Sequence, residues 1–179
     1  MNASLSESLV QFFNEHDIRF SEERPGQCYH FGISHEEINY QVFTAVEENP
    51  HALTVLCGLP IMVPPLRRSE GLRLVNRLNR GTRFGSWSLD ETDGELNLRL
   101  FQLVPEEGEP KLLIGATIAI ATFICNQQAR ALIQFALGNL SASEAEQSLA
   151  DEEEISDEDA EEIDFSTLPP EPPDRFGLN

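Results

Sequence analysis

The sequence predicts an α+β domain in which three helices cover a five-stranded antiparallel sheet, in the order α-β-β-β-α-β-β-α, followed by a disordered acidic tail. Five segments place apolar residues at every second position, as half-buried strands do, and three segments place them at helical spacing. The third observation is charge, because acidic residues dominate the chain beyond residue 140. We therefore divide the 179 residues into a domain over 1–140 and a tail over 141–179.

The first helix is indicated by its start signal. Ser4 and Glu7 have the spacing of a capping box, in which each side chain bonds the backbone N–H of the other residue. Apolar residues then recur at helical spacing between Leu5 and Phe13, so we expect a helix over about residues 5–16.

The five strands follow from apolar alternation. Short polar links join the first three, which favours an antiparallel meander, and a polar loop ending in Gly94 joins the last two as a hairpin. The alternating segments are 29–33, 38–46, 53–59, 87–89 and 96–100.

Two further helices follow from helical spacing and end signals. Leu74, Val75 and Leu78 predict a second helix that ends near Gly81. A strongly apolar third helix is expected over about residues 112–137, where Gly138 provides the end signal.

The chain is strongly acidic, and its charge is unevenly distributed. It has 31 acidic and 12 basic residues, and the tail holds fourteen of the acids against a single base, Arg175. A segment with so much like charge and so little apolar surface is not expected to fold alone. The net charge of −19 also argues against a nucleic-acid partner, whose affinity depends on neutralised phosphates.

The tail nevertheless contains isolated apolar residues among its acids. Such interleaving is typical of segments that become ordered when they bind a partner. We predict four of these residues to be partner-binding, with a purely solubilising appendage as the alternative. They are Ile163, Phe165, Leu168 and Phe176.

A cluster of arginines is the second candidate binding feature. Arg73, Arg77 and Arg80, the arginine stripe, are spaced i, i+4 and i+7 on one face of the second helix, and Arg83 follows just beyond its end. The planar fork of arginine suits carboxylates and phosphates. We hypothesise that these side chains receive acidic groups from a partner or from the chain's own tail. The alternative is a solvated helix face.

The sequence contains few features that would support catalysis. No nucleophile motif, phosphate-binding glycine loop or paired-histidine zinc motif occurs, so we predict a protein without catalytic residues, metal or cofactor. The acidic loop 90–95 lacks the ligand spacing of a calcium loop.

Three widely spaced cysteines suggest buried thiols and a reducing cytoplasm. The apolar run 112–125 is shorter than the ~20 residues of a membrane span, so we expect no stable membrane insertion.

The end of the second helix and the hairpin together resemble the YbjN-like family of bacterial proteins. The resemblance covers roughly residues 5–138 and lies in the element order and in nine positions. They are Leu78, Asn79, Arg83, Phe84, Gly85, Leu89, Asp93, Gly94 and Leu96. It implies a fold similar to the class I chaperones of type III secretion, which are small acidic dimers that clamp extended segments of their clients.

The resemblance also implies a role outside catalysis. We therefore expect a cytoplasmic, protein-binding adaptor, regulator or chaperone-like protein, and the family similarity favours a homodimer. Three alternatives stay open. The first is a dedicated secretion or assembly chaperone for a single client, and the second is an enzyme whose site the sequence does not reveal. The third is a membrane-associated role for the apolar run 112–125.

Overall fold

The computed structural model describes residues 4–105 and 108–153, within which six strands form one antiparallel sheet accompanied by four α-helices. The helices are α1 (Leu5–Glu15), α2 (Arg68–Gly81), α3 (Pro110–Leu137) and α4 (Ala142–Glu153). The strands are β1 (Ser21–Arg24), β2 (Cys28–His35), β3 (Ile38–Glu48), β4 (His51–Met62), β5 (Ser86–Leu89) and β6 (Glu95–Leu103). They lie in the order β1-β2-β3-β4-β6-β5.

The predicted α+β class is confirmed, but the predicted numbers of strands and helices are wrong. Five strands were expected, and the sixth is β1, which pairs with β2 so that Ser21 lies opposite His30. β1 has the sequence Ser-Glu-Glu-Arg and shows no apolar alternation. Because this short edge strand is mostly exposed and is held by backbone hydrogen bonds to β2, it needs no apolar face.

The fourth helix corrects the prediction of disorder for residues 142–153. α4 buries Ala142, Ala145 and Leu149, a narrow apolar face at helical spacing, between α2 and α3. Glu144 and Glu146 lie outside this apolar face, so two of the acids that suggested disorder belong to the outer surface of a docked helix. Residues 154–179 lie outside the described part of the chain, and the tail prediction stays a prediction there.

α1 begins as predicted and packs on the sheet. The Ser4 hydroxyl accepts from Glu7 N at 3.1 Å, and Ser4 N donates to the Glu7 carboxylate at 2.8 Å, which closes the capping box. Leu9 and Phe13 are fully buried. The Phe13 ring meets that of Phe31 on β2 edge to face at 5.4 Å, so α1 is joined to the sheet by aromatic contacts.

The sheet has one covered face and one open face. The covered face lies under α1 and α3, and it supplies most of the core. On the other face, a cross-strand row joins His30, Phe43, Leu56 and Arg99. Phe43, Phe101 and Leu103 are exposed there. The name open sheet face is used below for five residues of this surface: Phe43, Leu56, Arg99, Phe101 and Leu103.

α3 is the longest helix and anchors the covered face. Tyr40 of β3 donates its hydroxyl to Asn126 of α3 at 2.7 Å, and the Trp87 indole of β5 donates to Gln128 of α3 at 2.6 Å. By length and composition, α3 is the one described helix that could cross a bilayer, a weak criterion that core helices of soluble proteins also meet. Here Ile118 and Leu132 are fully buried in the core.

The β5–β6 hairpin is fixed to the start of α2. The Arg68 guanidinium donates to the backbone carbonyls of residues 91, 92 and 93 in the hairpin loop, and also to that of Val63. Val63 N in turn donates to the carbonyl of Gly94 at 2.8 Å. Asp90 accepts from the hydroxyl and N–H of Thr92, which hold the pKa of Asp90 below its usual value. The acids of this loop therefore shape a turn.

Candidate functional site

The turn between α3 and α4 is held by Arg67. Its guanidinium donates to the carbonyl of Phe135 and, at 2.7 Å, to that of Leu140, and it lies over the Phe135 ring at 4.2 Å from the centroid. Gly138 ends α3 at the predicted position, and its φ of +86° is left-handed. Arg67 thus gives the Leu140 carbonyl a donor, and it gives the Phe135 carbonyl, which already accepts from Gly138 N, a second one.

α4 begins with two carboxylates on its free N–H groups. Glu70 of α2 accepts from Ala142 N at 2.9 Å, and Ser141 and Glu144 form a second capping box. The Ala142 N–H, and after it the Arg67 guanidinium, lower the pKa of Glu70. The N–H and hydroxyl of Ser141 lower the pKa of Glu144. The docking of α4 therefore depends on ionised carboxylates.

Lowering the pH is expected to weaken the packing of α4 against α2 and α3. The pKa values of Glu70 and Glu144 are lower in the folded protein than in the unfolded chain, where glutamate titrates at pH ~4.3. Their stabilisation is therefore present above that pH and is lost as pH falls through the lowered values. Amide chemical shifts of Ala145 and Leu149 should move toward unfolded values on titration below pH ~4.

Two variants test this acid response. Glu70→Gln should reduce the pH dependence of the α4 amide shifts, because the amide accepts from Ala142 at every pH without carrying the charge. Glu15→Gln is the matched control, since the Lys111 amine lowers the pKa of Glu15 at a site away from α4. Acid-induced shifts in α4 that Glu70→Gln leaves unchanged would contradict the assignment.

The arginine stripe lies exposed along α2, beside α4. Arg77 Nη1 is 2.8 Å from Glu146 Oε2 of α4, so one acid from the predicted tail meets the stripe. Such an exposed pair stabilises by less than about 1 kcal/mol. Arg73, Arg80 and Arg83 are exposed, and none of their side chains forms a hydrogen bond or ion pair within residues 4–105 and 108–153. Arg73 acts on Glu70 only at longer range, through its charge, which helps to lower the pKa of Glu70.

A groove opens where α2 ends, between α3, α4 and the loop that leads to β5. Its volume is about 410 Å³, within the size range of ligand pockets. We call it the Phe84 groove, and its lining is mostly apolar. It is lined by Gly81, Thr82, Arg83, Phe84, Ile120, Phe123, Ile124, Gln127, Gln128 and Leu149.

Two aromatic side chains give the groove its exposed apolar surface. Phe84 is 60% exposed and Phe123 is 48% exposed, although both are large hydrophobic residues. Gly85 sets the path of the chain next to Phe84, because its φ is +75° and a Cβ there would lie 2.9 Å from the Arg99 carbonyl oxygen. Exposed aromatic rings in a concavity are typical of interaction sites.

The structure unites only part of the predicted binding residues. Arg83 lines the groove, while the arginine stripe lies on the neighbouring helix. The predicted tail residues Ile163, Phe165, Leu168 and Phe176 lie outside the described residues. The groove residues on α3 and α4 were not anticipated, because α3 has apolar residues on all sides and its periodicity does not single out an exposed face.

The described residues contain no group of three or more His, Cys, Asp or Glu side chains placed to hold a metal ion. Cys57 and Cys125 are buried in the core as free thiols, and Cys28 is half-buried. The hydrogen bond with Cys125, together with burial, raises the pKa of Cys57 well above its usual value. These two thiols are packing residues.

Comparison with known proteins identifies the family of the chain. The family model for YbjN, described as "Putative bacterial sensory transduction regulator", matches residues 6–142. The chain belongs to the YbjN family. The matched region of this YbjN protein covers the whole sheet and ends at the first residue of α4. A search of the curated proteins finds no match.

In this YbjN protein, the positions that carried the resemblance fall into two groups. Most are structural: the Asn79 side chain bonds the backbone N and O of Trp87 at 2.7 and 2.9 Å, and Gly94 has a φ of +92°. Arg83 and Phe84 instead face solvent at the groove. These two residues are therefore the ones available for a partner.

Proposed function

We propose that this YbjN protein is a non-enzymatic regulator that binds a protein segment in the Phe84 groove. The observation that carries the proposal is an apolar groove of about 410 Å³ with Arg83 in its lining and Arg80 nearby on α2, both without an acidic partner among the described residues. A segment with apolar side chains between carboxylates would fit both features. The family description as a regulator supports a role outside catalysis.

The apolar groove and the two arginines would contribute to binding in different ways. Burial of the exposed rings of Phe84 and Phe123 supplies affinity, because buried aromatic residues at the centre of an interface dominate binding energies. Arg80 and Arg83 form charge-assisted bonds with carboxylates and raise the association rate. Binding should therefore weaken, without being abolished, as salt is added.

Replacing Phe84 with alanine is expected to reduce affinity at least about tenfold, the effect of losing an aromatic anchor. The probe is a fluorescein-labelled synthetic peptide with leucine and phenylalanine set among glutamates, followed by anisotropy. The measurement uses the full chain with Ile163→Ser, Phe165→Ser and Leu168→Ser, the tail-serine variant, so that the chain's own apolar tail residues cannot compete with the probe.

The matched control is Phe101→Ala in the same background. Phe101 is 53% exposed, close to the 60% of Phe84, but it lies on the open sheet face, away from the groove. It should leave the affinity unchanged, and both variants should unfold within about 0.5 kcal/mol of the parent. Equal affinities for the Phe84→Ala variant and its parent would contradict the groove as the binding site.

A second candidate function is favoured by the open sheet face. Phe43, Phe101 and Leu103 expose apolar surface on strands β3 and β6, which suits a chaperone-like protein that holds an extended client or a second copy of itself. Loss of probe binding in Phe101→Ala, with Phe84→Ala unaffected, would favour this function. A fall in sedimentation mass on Phe101→Asp would indicate a homodimer through the same face.

A further inference from the structure

We propose that residues 163–168 of the chain's own tail occupy the Phe84 groove in the free protein, so that the tail competes with the partner segment. This inference rests on the proposed function, because it assigns a regulator to the same groove. Three features of the chain support it: the point at which the chain leaves α4, the charge at that point, and the apolar residues of the segment.

α4 runs beside α2 in the same direction and leads the chain to the groove. At the start of both helices, Glu70 accepts from the N–H of Ala142 at 2.9 Å. About one turn further along α4, Glu146 pairs with Arg77. Leu149 then forms part of the groove lining. The tail therefore leaves α4 close to the groove.

The segment lies within reach of that exit. Glu153, the last residue of α4, is four residues beyond Leu149, or about 6 Å along the helix. The ten residues from Glu153 to Ile163 can extend at most about 35 Å and can equally fold back over a shorter distance. The connection is therefore long enough to return residues 163–168 to the groove without disturbing α4.

Electrostatic attraction between acids of the tail and arginines at the end of α2 favours the return of residues 163–168 to the groove. Residues 151–164 contain ten acids and no base. Acids at the C-terminal end of a helix are unfavourable, because the helix dipole is negative there. Arg80 and Arg83 lie where α2 ends, next to the exit of α4, and neither has an acidic partner among residues 4–105 and 108–153. They are the cations best placed to offset the acids of the tail.

The segment carries apolar side chains suited to the groove. Ile163, Phe165 and Leu168 fall within six residues and are separated by polar ones. Phe84 and Phe123 offer exposed rings to receive them. Because the segment is tethered, its effective concentration is on the order of millimolar, so a modest intrinsic affinity keeps the groove occupied. A partner must then bind more tightly than the tail to displace it.

The test compares three full-length proteins: wild type, the tail-serine variant, and Phe176→Ser as a control outside the proposed segment. The fluorescein peptide should bind the tail-serine variant about tenfold more tightly than it binds wild type or Phe176→Ser. Methyl resonances of Ile120 and Ile124, which line the groove, should shift between wild type and the tail-serine variant, and Phe176→Ser should keep the wild-type positions.

The outcomes separate the two proposals. Identical methyl positions and identical peptide affinities in wild type and the tail-serine variant would overturn the tail assignment and leave the groove proposal standing. Failure of the tail-serine variant to bind the peptide would count against the proposed function, whereas the methyl shifts would still decide whether the tail lies in the groove.

Discussion

Gly94→Ala is expected to lower the free energy of unfolding by roughly 3–5 kcal/mol, among the largest effects of any single substitution in this fold. Gly94 has a φ of +92°, and a Cβ there would lie 2.2 Å from the carbonyl oxygen of Val63. The neighbour is backbone, so no side chain can turn away to make room. The hairpin loop would have to separate from Val63 and lose the hydrogen bond between Val63 N and the Gly94 carbonyl.

Gly81→Ala is the matched control for this prediction. A Cβ at Gly81 would have no heavy atom within 4 Å, and the residue lies in the last turn of α2, where alanine is the better helix former. Urea unfolding followed by circular dichroism should give a stability equal to wild type or up to about 1 kcal/mol higher. Similar unfolding midpoints for Gly94→Ala and wild type would refute the proposed contact between Gly94 and Val63.

Arg67→Ala should destabilise the protein by about 3 kcal/mol and release α4. Hydrogen bonds from charged groups are worth about 1.5–3 kcal/mol each, and the guanidinium donates to the carbonyls of Phe135 and Leu140 while it stacks on the Phe135 ring. Removing it takes the donor from the Leu140 carbonyl and leaves the Phe135 carbonyl only its bond from Gly138 N. Because α4 supplies Leu149 to the groove, binding of the fluorescein peptide should weaken as well.

Two variants isolate the role of the Arg67 fork. Arg67→Lys keeps the charge but cannot bond two carbonyls with a planar fork, so its stability should lie between those of wild type and Arg67→Ala. Arg73→Ala removes an exposed arginine from the same helix region and should change stability by less than about 0.5 kcal/mol. A comparable loss of stability in Arg73→Ala would show a general charge effect in place of the proposed contacts.

The elements of the fold that could be predicted are those marked by a pattern in their own residues. Alternation defined β2 to β6 because each has one buried face, and the Ser4–Glu7 box marked the start of α1 within one residue. The two helix-end glycines differ. Gly138 has the left-handed conformation in which glycine often ends a helix, whereas Gly81 is the last residue of α2 and is not left-handed. A glycine at the end of a helical pattern therefore predicts where the helix ends better than it predicts the backbone conformation of that glycine.

The missed elements depend on contacts with other elements. β1 is a strand because β2 lies beside it, and its own residues carry no pattern that predicts one. α4 did have a local signal, since Ser141 and Glu144 repeat the capping-box spacing seen at Ser4. The acidic composition outweighed that signal, and the Glu70 carboxylate that caps α4 comes from another helix.

The candidate site was predictable only in part. The arginine stripe was evident from the sequence, but the nearby Arg67 and Arg68 bond backbone carbonyls, a role that local charge cannot distinguish from anion binding. The Phe84 groove joins residues from α2, α3, α4 and the loop before β5. Only the folded arrangement brings them together, because segment 81–84, the α3 residues and Leu149 are far apart in the sequence.

The central claim is that the Phe84 groove binds an acidic, apolar protein segment, and crosslinking tests it most directly. The tail-serine variant is irradiated with a peptide whose phenylalanine is replaced by benzoylphenylalanine, and the attachment sites are read by mass spectrometry. The account predicts adducts on Phe84, Phe123 or Gln127. Adducts confined to Phe43, Phe101 or other residues of the open sheet face would contradict it.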